Sequence, residues 1–136
     1  MAVVVFDSDV LIGFLNAADL HHADAVDIVR ASLAPNTKRW LSAVNYSEIL
    51  VGPIKAGKKA REQVEGMLAG FSIEIKIVDM ALARRAAAVR ARTNLKLPDA
   101  YALATAIHAE HSGYEDVSLA SFDEAVLRAH AELHPN

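Results

Sequence analysis

Met1-Ala2-Val3-Val4-Val5-Phe6 runs without a polar break into Asp7-Ser8-Asp9, and the reading of this opening decides the fold. A strand with one wet face alternates apolar and polar residues. An unbroken β-branched run of this length instead suits a strand buried on both faces. Past the acids, Val10-Leu11-Ile12 and Phe14-Leu15 start a short helix. Working outward, strand and helix keep alternating. Asp19 is placed to cap a helix with apolar Ala23, Val26, Val29 and Leu33 at helical spacing, which Pro35-Asn36 breaks. Arg39 to Ser42 reads as a second short strand, and a helical region follows from about Val44 to about Gly70, punctuated by Gly52-Pro53 and Gly57. Phe71 to Val78 alternates in part through Ile73, Ile75 and Ile77 and reads as a third strand. Asp79 caps an Ala- and Arg-rich helix to about Thr93, and Asn94 to Leu97 reads as a loop. Pro98-Asp99 opens another helix, Pro being tolerated in a first turn, and Ser112-Gly113 stops it. Val117 to Ala120 is a fourth strand and Asp123 to about Ala131 a last helix. This alternation predicts an α/β fold: one domain over residues 1–136, with a short, mainly parallel central sheet and helices on both faces.

Composition narrows the chemistry. With 136 residues, 53% hydrophobic and 23% charged, the chain can bury a real core and is not of disordered type. The absence of cysteine excludes a disulfide scaffold, a thiolate zinc site and a cysteine nucleophile, and fits a reducing cytoplasm. No apolar run approaches the length of a membrane span, and the opening lacks a basic leader, so a cytoplasmic protein with no membrane partner is expected. The net charge of −3 is wrong for a generic nucleic-acid binder. It divides unevenly, however. If Asp7, Asp9, Glu48, Asp99 and Asp123 belong to one cation-filled pocket, the rest of the chain carries +2. Basic residues also cluster at Lys55, Lys58, Lys59 and Arg61, and again at Arg84, Arg85, Arg90, Arg92 and Lys96. A phosphate-bearing substrate is therefore compatible with the balance.

Those five acids are the main chemical signal. In parallel α/β sheets ligands bind beyond the carboxyl ends of the strands, at a topological switch point. Asp7 and Asp9 follow the first strand, Asp123 follows the fourth, and Asp99 opens a helix that starts at the same rim. Glu48 lies on the helix after the second strand, on a side shared with Leu41, Val44 and Val51, where a carboxylate needs a cation or a donor. Each acid alone has an ordinary explanation, Asp99 and Asp123 as helix caps and Asp7 as a turn residue. Together they describe an oxygen-rich site that suits a hard cation such as Mg²⁺ or Mn²⁺.

Four blocks in order also carry a family resemblance. Val4-Val5-Phe6-Asp7-Ser8-Asp9-Val10-Leu11-Ile12 resembles the opening of PIN-domain ribonucleases. Leu41 to Gly52, Leu97 to Ala106, and Leu119-Ala120-Ser121-Phe122-Asp123 are similar to that family's later blocks, and the layout looks most like the VapC-type toxins of bacterial toxin–antitoxin pairs. Ser8 and Ser121 stand where the family more often has Thr, and Asp9 where Asn or Ser is also common. The resemblance implies Mg²⁺- or Mn²⁺-dependent endoribonuclease activity on RNA, leaving a 5′-phosphate and a 3′-hydroxyl. It implies catalytic and metal-ligating roles for Asp7, Glu48, Asp99 and Asp123, with Ser8, Asp9 and Ser121 supporting them. It further implies a cognate antitoxin as partner and a homodimer. An apolar groove for the antitoxin is expected among Leu11, Phe14, Leu50, Met67 and Phe71.

Three other readings compete. A metal-independent ribonuclease would use histidines, and His21-His22 and His108 with His111 are the available pairs. A haloacid-dehalogenase-like phosphatase would use Asp7 as nucleophile with Asp9 and Ser42, but Lys96 sits in a poorly matching context and Glu48 is left unexplained. A non-catalytic module would hold a structural cation. No phosphate-cradling glycine loop, dinucleotide fingerprint or serine nucleophile elbow is present.

Overall fold

The structure, a computed structural model, describes residues 1–133. Along them run β1 (Ala2–Phe6), α1 (Ser8–Leu15), α2 (His22–Ala31), β2 (Thr37–Ser42), α3 (Ala43–Ala56), α4 (Lys58–Gly70), β3 (Ile73–Lys76), α5 (Met80–Thr93), α6 (Leu97–His111), β4 (Asp116–Ala120) and α7 (Glu124–Leu133). The four strands form one sheet in the order β3-β2-β1-β4, and every pairing is parallel. The predicted α/β architecture is therefore the observed one. Among the described residues, no helix is long and apolar enough to cross a membrane.

The unbroken apolar run of β1 is explained by burial on both sides. Val3 and Val5 face a core built with Trp40, Val117, Leu119 and residues of α5, α6 and α7. Phe6, with Val4 beside it, faces a second core built with Leu41, Val10, Leu11, Val29, Ile49 and Val64. Such a strand has no solvent face to decorate with polar residues. Its carboxyl end then becomes the natural place for the chain to leave the apolar interior.

Two expectations are corrected. The third strand is shorter than Phe71–Val78, because its pairing with β2 stops at Ser42↔Lys76, where Ser42 turns to cap α3. Ile77 is left 80% exposed. Likewise, Gly52-Pro53 does not interrupt α3, which continues to Ala56 and ends at Gly57. Gly57 has φ 124° and ψ −174°, a backbone region essentially reserved for glycine. An added Cβ would meet no atom within 4 Å, so the penalty of a side chain there is conformational alone. Gly57→Ala is expected to cost about 1–3 kcal/mol. The check is a urea titration, read as a lower midpoint at unchanged m value.

Candidate active site

The sheet order places β1 between β2, towards which the chain moves first, and β4, to which it returns at the end. The crevice between the carboxyl ends of β1 and β4 is thus the switch point. Asp7 N–H donates to the Ala120 carbonyl at 2.8 Å, continuing the β1–β4 ladder into the loops that carry the acids. Asp7 is also the N-cap of α1, its Oδ1 accepting from Ser8 N–H at 2.8 Å. Its Oδ2 accepts from Ser121 Oγ at 2.9 Å. Asp9, in the first turn of α1, reaches across to the loop after β4, with Oδ2 accepting from Phe122 N–H at 3.0 Å. Ser121 Oγ in turn accepts from Asp123 N–H at 3.0 Å. The serine is therefore a hinge pin joining three of the acids.

The remaining two acids come from the other side of the crevice. Glu48 projects from α3, and its Oε1 accepts from Ser8 Oγ at 2.8 Å and from Asn45 Nδ2 at 3.0 Å. Asn45 is fully buried. Its Oδ1 accepts from Ser42 Oγ at 2.6 Å, while its Nδ2 also donates to the Pro98 carbonyl at 3.1 Å. One amide thus fixes Glu48 and locks the end of β2 to the start of α6. Asp99 is the residue after that carbonyl. It sits in the first turn of α6, where the helix dipole favours a negative charge, and it does not cap the helix. Asp123 does serve as a cap, its Oδ1 accepting from Ala125 N–H at 2.8 Å.

The electrostatics show what this gathering does. Burial pushes the Asp7 carboxyl up to about 7, and the charges of Asp9 and Asp99 push the same way. The hydrogen bonds from Ser121 and Ser8 oppose that rise without cancelling it. Asp9 is raised by burial, with Asp123 adding repulsion against the opposing amides of Phe122 and Val10. Asp99 is raised by burial and then by Asp123, Glu48 and Asp9, with Lys96 pulling the other way. All five predicted acids therefore share one electrostatic neighbourhood.

The donor set tests well against a hard divalent cation. It is all oxygen, and among the described residues Asp9 Oδ1 is buried with no hydrogen-bond partner. Among the described residues, no group of three or more carboxylates or imidazoles is arranged to hold a metal ion. The acids share the rim and its field but are held by protein donors. Ser8 and Ser121 donate to the carboxylates of Glu48 and Asp7. Asn45 was not singled out from sequence, although a polar residue one turn before Ile49, on the buried stripe of α3, is a readable signal. That stripe also corrects the side assigned to Glu48: Val51 is exposed, and Asn45 and Ile49 are the buried positions. The histidine pairs are separated in role. His22 Nδ1 bonds the Gly13 carbonyl at 2.8 Å, whereas His108 and His111 lie in the last turn of α6.

Comparison with known proteins agrees with this fold. A search of curated proteins finds no match. A toxin–antitoxin complex from Klebsiella pneumoniae is similar, with 27% identity, a TM-score of 0.62, and coverage of 90% of this chain and 87% of that one. Two more distant structures share the fold. VapC20 of Mycobacterium tuberculosis, a toxin that cleaves the sarcin–ricin loop, shows 18% identity and a TM-score of 0.64 over 90% of this chain and 92% of that one. VapBC2 of Rickettsia felis, bound to a DNA fragment from its promoter, shows 13% identity and a TM-score of 0.61 over 90% and 100%. The PIN domain family model matches residues 4–133, which include every acid at the rim. The chain belongs to the PIN domain family.

Proposed function

We propose that this PIN domain is a divalent-metal-dependent endoribonuclease and the toxin of a toxin–antitoxin pair. The observation that carries the reading is the approach of Asp7, Asp9, Glu48, Asp99 and Asp123 to the β1–β4 switch point, where Asp9 and Asp99 act on the buried Asp7 and Asp123, Glu48 and Asp9 act on Asp99. Mg²⁺ or Mn²⁺ bound there supplies Lewis acidity towards a phosphate oxygen and a water that ionises near neutral pH. Asp7, Asp99 and Asp123 would hold the metal, and Asp9 offers a free buried oxygen beside them. Glu48 keeps Oε1 occupied by Ser8 and Asn45, which fixes the carboxylate plane and leaves its other oxygen to bind metal or orient water. Ser121 fixes Asp7.

The same reading includes an antitoxin partner and a homodimer. A groove of about 450 Å³ runs between α1, α3 and α4, walled by Ile12, Leu15, Ile49, Pro53 and Val64, with Glu48 among its lining residues. It would receive an antitoxin segment whose basic residue meets the acids. It is not built from the residues expected from sequence. Leu11 and Met67 are buried and Leu50 is half-buried against the core, whereas Phe14 and Phe71 line a separate cleft of about 440 Å³ with Val26, Val29 and Leu33.

Purified, partner-free protein incubated with total cellular RNA tests the function. Cleavage is expected with Mn²⁺ or Mg²⁺, to vanish with EDTA, and to leave 5′-phosphate ends on mapping. Cleavage that survives EDTA and leaves cyclic phosphates would overturn the metal mechanism in favour of histidine chemistry.

A further inference from the structure

We propose that His21, stacked on Phe122, is a nucleobase platform that seats an unpaired base of the RNA beside the scissile phosphodiester. The inference rests on the ribonuclease reading and adds a subsite to it. The two rings lie with centroids 4.6 Å apart and planes 20° from parallel. Phe122 is half-buried against the core, and its backbone N–H is bound to Asp9 Oδ2, so the lower layer of the stack is fixed by one of the rim acids. His21 is exposed and forms the outer layer. The pair lines a cleft of about 400 Å³ together with Ile12, Asp9, Asp19 and Asp123.

The chemistry of that cleft selects its occupant. Three carboxylates repel a phosphate that arrives without a cation, so the backbone is not what the ring face receives. A flat, neutral, unpaired base suits an aromatic surface with an apolar wall, and RNA recognition commonly uses such stacking. Because the cleft also includes Asp9 and Asp123, a base seated there places its neighbouring phosphodiester over the acids. Every base has a π-face, so the platform favours unpaired nucleotides without choosing sharply among bases.

The stack is not required to hold the loop between α1 and α2. That loop has its own anchors: His22 Nδ1 to the Gly13 carbonyl, Asp19 Oδ1 to His21 N–H at 2.8 Å, and Asn16 Oδ1 to Ala18 N–H at 3.0 Å. Stability and substrate binding are therefore separable readouts. The test compares wild type, His21→Ala and His21→Phe on total cellular RNA with Mn²⁺, at the cut sites mapped for wild type. At subsaturating RNA, His21→Ala is expected to cut about tenfold more slowly, on the scale of one lost base stack, with an unchanged melting temperature. His21→Phe, which keeps a ring, is expected to cut at close to the wild-type rate. Wild-type cutting by His21→Ala, or equal impairment of both variants, would overturn the platform while leaving the nuclease standing. A wild type that cuts no RNA would remove the nuclease reading itself.

Discussion

Asp7→Asn is expected to abolish RNA cleavage and, in the same protein, to make the metal-free fold harder to unfold at pH 8. The first effect follows from losing the carboxylate at the centre of the switch point; removal of a central charged group is expected to cost about 10²–10³-fold or more in rate. The second follows from burial. Asp7 is only 2% exposed, and its carboxyl titrates at about 7 against an ordinary 3.8. The folded state therefore holds a proton that the unfolded chain has released. Stability from this group falls as pH rises from about 4 to about 7, and the full penalty persists above. At about 1.4 kcal/mol per unit, the shift is worth on the order of 4 kcal/mol. Asn is uncharged at every pH and its Oδ1 can still accept from Ser8 N–H, so the cap survives. The check is thermal melting in EDTA: the variant should exceed wild type by at least about 5 °C at pH 8 and match it near pH 4. Mn²⁺ should raise the wild-type melting temperature more at pH 8 than at pH 6, because its ligands must be deprotonated, and leave the variant nearly unmoved. Parallel pH profiles for the two proteins would mean that Asp7 is not a strained carboxylate, and the metal assignment would lose its electrostatic basis.

That trade of stability for charge explains why the site was legible from sequence. A carboxylate directly after a two-face-buried strand is costly to bury even where, like Asp7, it caps the next helix, and β1 announces such a strand by its unbroken apolar run. The four segments that bring acids to the rim follow from the βαβ alternation, because each parallel strand must point its carboxyl end the same way. What escaped the sequence depends on the rotational phase of helices and on contacts across the sheet. The phase of α3 is set by Ser42, which caps it through Asn45 N–H at 3.1 Å; this turns Asn45 inward and Val51 outward. The pairing of His21 with Phe122 joins residues 101 positions apart through two loops, which no local pattern encodes. Asp99 has an ordinary reading as a helix cap, yet α6 begins at Leu97 and makes the acid a first-turn residue.

The second large effect is expected at Asn45, through a change that preserves shape and reverses hydrogen-bond polarity. Asn45→Asp keeps an oxygen for Ser42 Oγ but replaces the Nδ2 that donates to both Glu48 Oε1 and the Pro98 carbonyl. The new carboxyl would then place an oxygen about 3 Å from two acceptors, in a site with no exposure to water. Leaving such groups unsatisfied, with a charge among them, is expected to cost about 3–5 kcal/mol. The loss should be smaller at pH 5 than at pH 8, since protonating the new carboxyl restores one donor. Glu48 would lose one of its two anchors and Pro98 its tie to α3, so cleavage should fall even under conditions where the protein stays folded. Urea titrations at both pH values, paired with cleavage assays below the unfolding midpoint, separate the two effects. Loss of stability at unchanged cleavage would make Asn45 a strut of the fold alone. Loss of both, with cleavage falling first, is what the single amide bridging Glu48 and the start of α6 demands: one side chain holds the two acid-bearing helices on that side of the crevice in register.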